Sequence, residues 1–520
     1  MHFRLIALML VGLVSPVLVG QAVAAEMFVP GDLIVTRSVY VGTAATVTVG
    51  QTLPGGGTAV ANGTYPNVFN NAVPDPSFGV TSPIFLDQLT TSGTLVNSLN
   101  VTAAAAAQGI NVTTSFPSKS EMGINLSTSG SALTFMGYVS PVNMLDVSNS
   151  NTPGHVDPTN PVATLPFQRA VVQIDATGHL LVTPVNAYSG NNGRGAILDS
   201  AANQYFLVGN AGNGSGTQPT FIVNNTGVQL ATPGGSAETT VVGKQQGTPG
   251  QANGFQFGFT ITQTNPLTGL PYATAPDKSG KDDNFRGETI FNNTLYVTKG
   301  SGSNGINTVY QVGSAGTLPT ASSAASTPIT VLPGFNTILA RTATGGPNPF
   351  GLWFANDHTL YVADEGDGVA ADAATSTFAG LEKWTFDGSI WHLAYTLQNG
   401  LGLGVDYTVG SYFPTATDGL RNITGRVNGD GTVTIFGITS TVSASGDQGA
   451  DPNRLVAITD LLAATSLPAS ESFTTLETAA FGEVLRGVSF APVPEPSTLA
   501  LLGIGLAEAA LISWKRRPSA

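Results

Sequence analysis

The chain has 520 residues, of which 42% are hydrophobic and only 10% charged, with 63 glycines and 32 prolines. That supply of apolar residues excludes global disorder and marks a turn-rich folded body. The lack of cysteine excludes disulfides, thiol nucleophiles and cysteine metal sites, and a net charge of −13 disfavours nucleic acid because an acidic body repels phosphate.

Residues 1–25 read as a secretory signal peptide. His2 and Arg4 open it, an apolar run follows from Leu5 to Gly20, and Ala22-Val23-Ala24 supplies the small residues that signal peptidase needs. Nothing after it continues a helical period.

The body, 26–492, alternates Val-, Thr-, Ile-, Phe- and Tyr-rich runs with Gly, Asn, Asp and Pro turns, which predicts strands throughout. A phrase recurs: a small or Arg-Gly opening, an apolar strand, a polar turn, then an aromatic and β-branched strand. Met122-Gly123, Arg194-Gly195, Arg286-Gly287, Phe350-Gly351, Arg421-Asn422 and Arg486-Gly487 open its six copies. Second hairpins follow, as in Leu381–Phe386 turning at Asp387-Gly388 into Ile390–Tyr395, and Val171–Asp175 turning into His179–Val182. Two hairpins per unit make a four-stranded antiparallel blade, and the repeat predicts an all-β propeller. The spacing exceeds the ~40–50 residues of an ordinary blade, so loop insertions are expected, the longest being the Gly/Thr/Pro-rich stretch near 231–277. The last copy, Arg486 to Phe490, has no second strand after it, whereas Asp32 to Arg37 matches a second strand with no first. Joining them closes the ring with six blades; seven is the alternative count. Paired β-sandwiches or a β-solenoid are the competing architectures, and a sandwich needs neither matched openings nor a split first unit.

Few chemical motifs survive inspection. Gly300-Ser301-Gly302-Ser303-Asn304-Gly305 fits a dinucleotide glycine pattern, but a strand follows where a helix is required, so it reads as a loop. No nucleophile elbow occurs, and the five histidines lack metal-ligand spacing. Asp364, Asp367 and Asp372 follow a strand. They are either calcium ligands, since hard cations take several loop oxygens, or a solvated acidic loop. Arg194, Arg286, Arg421 and Arg486 recur in phase on the expected innermost strands. They either line a channel for an anionic ligand or clamp neighbouring blades. Trp353, Trp384 and Trp391 alternate along strands and read as core rather than as a sugar platform.

The end of the chain is the most specific signal. Val493-Pro494-Glu495-Pro496-Ser497-Thr498 leads into an apolar segment, 499–514, and then Lys515-Arg516-Arg517. As a helix of ~1.5 Å per residue this segment is a marginal transmembrane span with its cations on the cytoplasmic side. Glu508 is a costly interruption within it. The order of Pro494-Glu495-Pro496, short hydrophobic helix and basic cluster over 493–517 resembles the PEP-CTERM sorting signal of Gram-negative bacteria. That resemblance implies recognition by an exosortase, transient anchoring in the inner membrane, removal or exchange of the tail 493–520, and a final place at the cell surface or outside the cell.

These readings together suggest an exported surface or exopolymer-matrix protein. Its role would be structural or non-catalytic, with an exopolysaccharide or surface protein as partner. The alternative is a secreted propeller hydrolase or lyase with a calcium-assisted site, resembling calcium-dependent six-bladed lactonases in architecture only. The two separate on whether carboxylates or histidines converge at one face.

Overall fold

The computed structural model describes residues 27–494, apart from 68–69, 72–74, 163–164, 215–218, 244–254, 257–258, 261–282, 303–304, 339, 341–344 and 446–448. The segment expected as a signal peptide, most of the insertion and the apolar segment 499–514 lie outside the described residues. Among those residues, no helix is long and apolar enough to cross a membrane.

The repeated openings each fall within or just before the innermost strand of a sheet. Blade 1 runs outward as Glu483–Phe490, Leu33–Val39, Ile84–Leu89 and Leu95–Asn100. Blade 2 is Asn125–Leu126, Ala132–Tyr138, Arg169–Asp175 and Leu180–Val185; blade 3 is Gly193–Asp199, Gln204–Gly209, Gly227–Ala231 and Thr240–Val241. Blade 4 is Glu288–Phe291, Thr294–Lys299, Thr308–Val312 and Ile329–Val331. Two short outer strands from the insertion, Phe255–Gln256 and Phe259–Thr260, extend it. Blade 5 is Pro349–Asn356, Thr359–Asp364, Gly380–Phe386 and Trp391–Leu397. Blade 6 is Thr415–Val427, Thr432–Ser443, Arg454–Leu461 and Thr474–Thr478, flanked by Asp406–Tyr407.

The fold is a six-bladed β-propeller, and its ring closes as the split repeat predicts. Leu33 pairs with Phe490, Val35 with Val488 and Arg37 with Leu485, all antiparallel. Closure gives both edge strands a partner, which removes an exposed ladder of N–H and C=O groups. The second hairpins also form as expected, with Phe386 opposite Trp391 and Ile174 opposite Leu180.

Small residues open the repeats because six innermost strands crowd one axis. A methyl added at Gly287 would sit 2.2 Å from the Phe350 carbonyl oxygen of the next blade, and one at Gly351 would sit 2.6 Å from that of Arg421. At Asn422 the side chain uses the same approach, donating to the Arg486 carbonyl at 2.7 Å.

Packing explains why these strands read as nearly continuous apolar runs. Both faces of each blade are covered, so both alternating sets of side chains are buried. Along Ala132–Tyr138, Leu133 and Phe135 pack toward blade 1 with Ile34 and Leu86, whereas Ala132 and Met136 pack toward blade 3 with Tyr205 and Leu207. Each large apolar side chain so buried contributes roughly 1.5–3 kcal/mol. Polar ties cross the seams as well. Lys383 and Asp460, both fully buried, pair at 2.8 Å between blades 5 and 6, and the Tyr395 hydroxyl donates to Asp460 at 2.7 Å.

Candidate functional site

The axis has two ends of different character. Where the innermost strands begin, the four in-phase arginines are gathered, each only 3–8% exposed. Arg194 donates from Nε to the Ser120 hydroxyl at 3.2 Å and from Nη1 to the Asn284 side chain and, at 2.7 Å, to the Phe285 carbonyl. Arg486 Nη2 donates to the carbonyls of Phe116 and Gly449, both at 2.6 Å. Arg421 Nε meets Glu365 Oε2 at 3.2 Å, and Lys119 Nζ meets the same oxygen at 3.4 Å. The Arg286 guanidinium lies 5.9 Å from the centre of the Phe350 ring. Burial alone would raise the Glu365 carboxyl, but Lys119, Arg286 and Arg421 outweigh it and hold its pKa at about 2. The arginines therefore tie neighbouring blades to one another. Lys119 and Glu365, which complete the cluster, were not foreseen; the only hint was a lysine in a chain with so few cations.

Beside this cluster lies an acidic cavity of about 230 Å³, lined in part by Asp364, Asp367, Asp372 and Asp418. Asp364, Asp367 and Asp372, expected either as calcium ligands or as a solvated acidic loop, all line it. Asp364 spends both oxygens on backbone amides, Oδ2 accepting from Asn348 N at 2.5 Å and Oδ1 from Gly366 N at 2.9 Å. Asp367 Oδ1 accepts from Val369 N at 2.9 Å, and Asp372 sits exposed on the short helix Ala370–Ala373. Among the described residues, no three of His, Asp and Glu converge so as to hold a metal ion. The carboxyl that joins Asp364 is Asp418, from the next blade. Burial pushes Asp364 up to about 7, against its two amide hydrogen bonds, and pushes Asp418 up to about 6. Asp418 Oδ2 accepts from Gly368 N at 2.8 Å, while its buried Oδ1 has no partner.

Where the innermost strands end, the axis opens into a funnel of about 280 Å³ touched by all six blades. Trp353 and Phe490 supply aromatic surface, and Asn125, Thr289, Thr424 and Ser489 supply amide and hydroxyl groups. None of the described residues lining it is ionisable. Trp384 and Trp391 are buried, as the alternation predicts. Trp353 departs from that reading: it is half-buried, and it packs over Gly425 at the funnel wall. Between the two ends, the buried Glu288 accepts a long hydrogen bond from Asn125 at 3.4 Å.

Residues 492–517 match the PEP-CTERM protein-sorting motif. The motif implies export, handling by an exosortase and transient membrane anchoring before processing. No curated protein matches the chain. Among solved structures, it is similar to a protein from Lactobacillus plantarum, at 12% identity over 79% of this chain and 84% of that one, with a TM-score of 0.31. It is also similar to an ulvan lyase of polysaccharide lyase family PL25 (10%, 79% and 90%, TM-score 0.29) and to an endo-arabinase from Bacteroides thetaiotaomicron (12%, 54% and 78%, TM-score 0.24). These likenesses are too distant to argue from.

Proposed function

We propose that this exported propeller serves at the cell surface or in the extracellular matrix as a non-catalytic module that binds an uncharged glycan in the axial funnel. The observation that supports this reading is the funnel itself: an aromatic plane at Trp353 ringed by hydroxyl and amide groups, with no ionisable lining. Sugar rings offer an apolar C–H face to such a plane and hydroxyls to such a rim. In this reading the mature protein begins near residue 26 and loses its tail at Pro494-Glu495-Pro496. Affinity electrophoresis through gels containing the host's own exopolysaccharide tests it. The wild type should be retarded, and Trp353→Ala should migrate as in a blank gel. Equal retardation of both would remove the funnel from consideration.

A second reading, a secreted hydrolase or lyase, draws on the Asp364–Asp418 cavity. Two buried carboxyls with raised pKa values beside an open cavity suit proton transfer near neutral pH. Release of reducing ends or unsaturated products from an exopolysaccharide, lost in Asp418→Asn, would favour it over the binding module.

A further inference from the structure

Between blades 4 and 5, away from the funnel, lies a cavity of about 210 Å³ walled by Phe335, Pro349, Phe378 and Trp384. Strand alternation creates its polar corner. In Gly380–Phe386, Glu382 and Trp384 point toward blade 4 while Lys383 points toward blade 6. The rings of Phe335 and Trp384 stack with centroids 3.9 Å apart, and Trp384 Nε1 donates to Glu382 Oε2 at 2.8 Å. Two polar side chains reach this apolar wall with an atom unsatisfied: Glu382 Oε1 and Thr308 Oγ1, on residues only 2% and 1% exposed. Each such orphan weakens the fold unless a partner meets it. An apolar pocket with two convergent polar atoms is the usual form of a small-molecule site.

We propose that this pocket binds one uncharged, phenol-sized ring whose oxygen is met by the Glu382 carboxyl and the Thr308 hydroxyl. Size supports a single ring, since an engineered dry cavity of ~150 Å³ holds benzene. Charge supports a neutral ligand. Burial, with nearby Asp364 adding to it, raises the Glu382 pKa well above the usual carboxylate value, so a charge in this corner is disfavoured. The polar inventory argues against a pyranose, whose several hydroxyls would outnumber the two unsatisfied atoms, the Asn336 amide on the same wall being engaged by Asn307 and Ile338.

Titration of the purified mature protein with p-cresol, toluene and benzylammonium, followed by calorimetry and tryptophan fluorescence, tests this. p-Cresol should bind at least about tenfold tighter than toluene, the discrimination that a buried hydrogen bond supplies. In Glu382→Leu that preference should fall below about threefold while toluene still binds, and Thr308→Val should lower it by a smaller factor. Glu382→Gln, which keeps a donor of the same size, should preserve the preference and serves if the leucine variant fails to fold. The assignment is overturned if folded wild-type protein takes up neither cresol nor toluene, if Glu382→Leu discriminates as well as wild type, or if benzylammonium binds most tightly. None of these outcomes bears on glycan retention by the funnel.

Discussion

The two ends of the propeller axis are built from the same six strands and differ in almost every other respect. At the end where the strands begin, Arg194, Arg421, Arg486 and Lys119 are committed to Ser120, Asn284, Glu365 and backbone carbonyls of adjacent blades. At the end where they finish, the lining is uncharged, half-open and partly aromatic. A ring of sheets must be locked somewhere against sliding of blade on blade. Placing the axial cations and their charge-assisted hydrogen bonds at one end leaves the other free to carry surface shaped for a ligand.

The most severe way to break this contrast is to break the ring on which both ends depend. Ser489→Pro removes a ladder donor opposite Ile34 and should cost more than about 3 kcal/mol. Limited proteolysis and denaturant melts should report an open or unfolded body, with glycan binding lost too. Next in size, Arg421→Met takes one of the surrounding cations away from the buried Glu365 carboxylate. It should cost about 3 kcal/mol at pH 7 in guanidinium denaturation, with funnel binding unchanged. A variant as stable as wild type would dissolve the distinction between the ends.

The neighbouring carboxyls sharpen the contrast through pH. Glu365 has a depressed folded value, so its contribution is present above the ordinary carboxylate range and is lost only as pH falls toward about 2. Asp418 has a raised value, so the folded state is favoured below the ordinary range and penalised as pH rises through about 6. Asp418→Asn should therefore flatten the stability profile between pH 4 and 7 and gain about 2 kcal/mol at pH 8. An unchanged slope in melts across that range would show that Asp418 is not the group responsible. The smallest stability effect belongs to Trp353→Ala, about 1 kcal/mol by thermal melt, because the ring is half-exposed. The same variant should lose more than about tenfold in glycan affinity.

Much of the fold was readable from the chain because the geometry of the axis writes itself into residue size. Gly287, Gly351 and Asn422 recur in phase since each meets a carbonyl of the next blade, and the unmatched strand at Arg486–Phe490 announced the split first blade. The contents of the sites were harder to read, because they join residues far apart in sequence. Glu365 meets Lys119 across blades, Asp418 meets Asp364 from the next unit, and Thr308 faces Glu382 across a seam. Local spacing left Asp364 and Asp367 open between a cation site and a solvated acidic loop, because the backbone amides they accept from are set by the fold. It misled at Trp353, whose alternation matched that of Trp384 although the cavity at the axis leaves it partly uncovered.

The Thr36 hydroxyl accepts from the Gly487 amide across 451 positions. This contact sets an order of events for a nascent chain. Until the final segment arrives, the amino-terminal sheet waits with one flank bare, a template for stray pairing. Prematurely terminated products are thus sticky fragments rather than smaller working rings. The sorting motif emerges directly behind the strand that ends this exposure, so a chain that carries its address is also one that is able to finish folding.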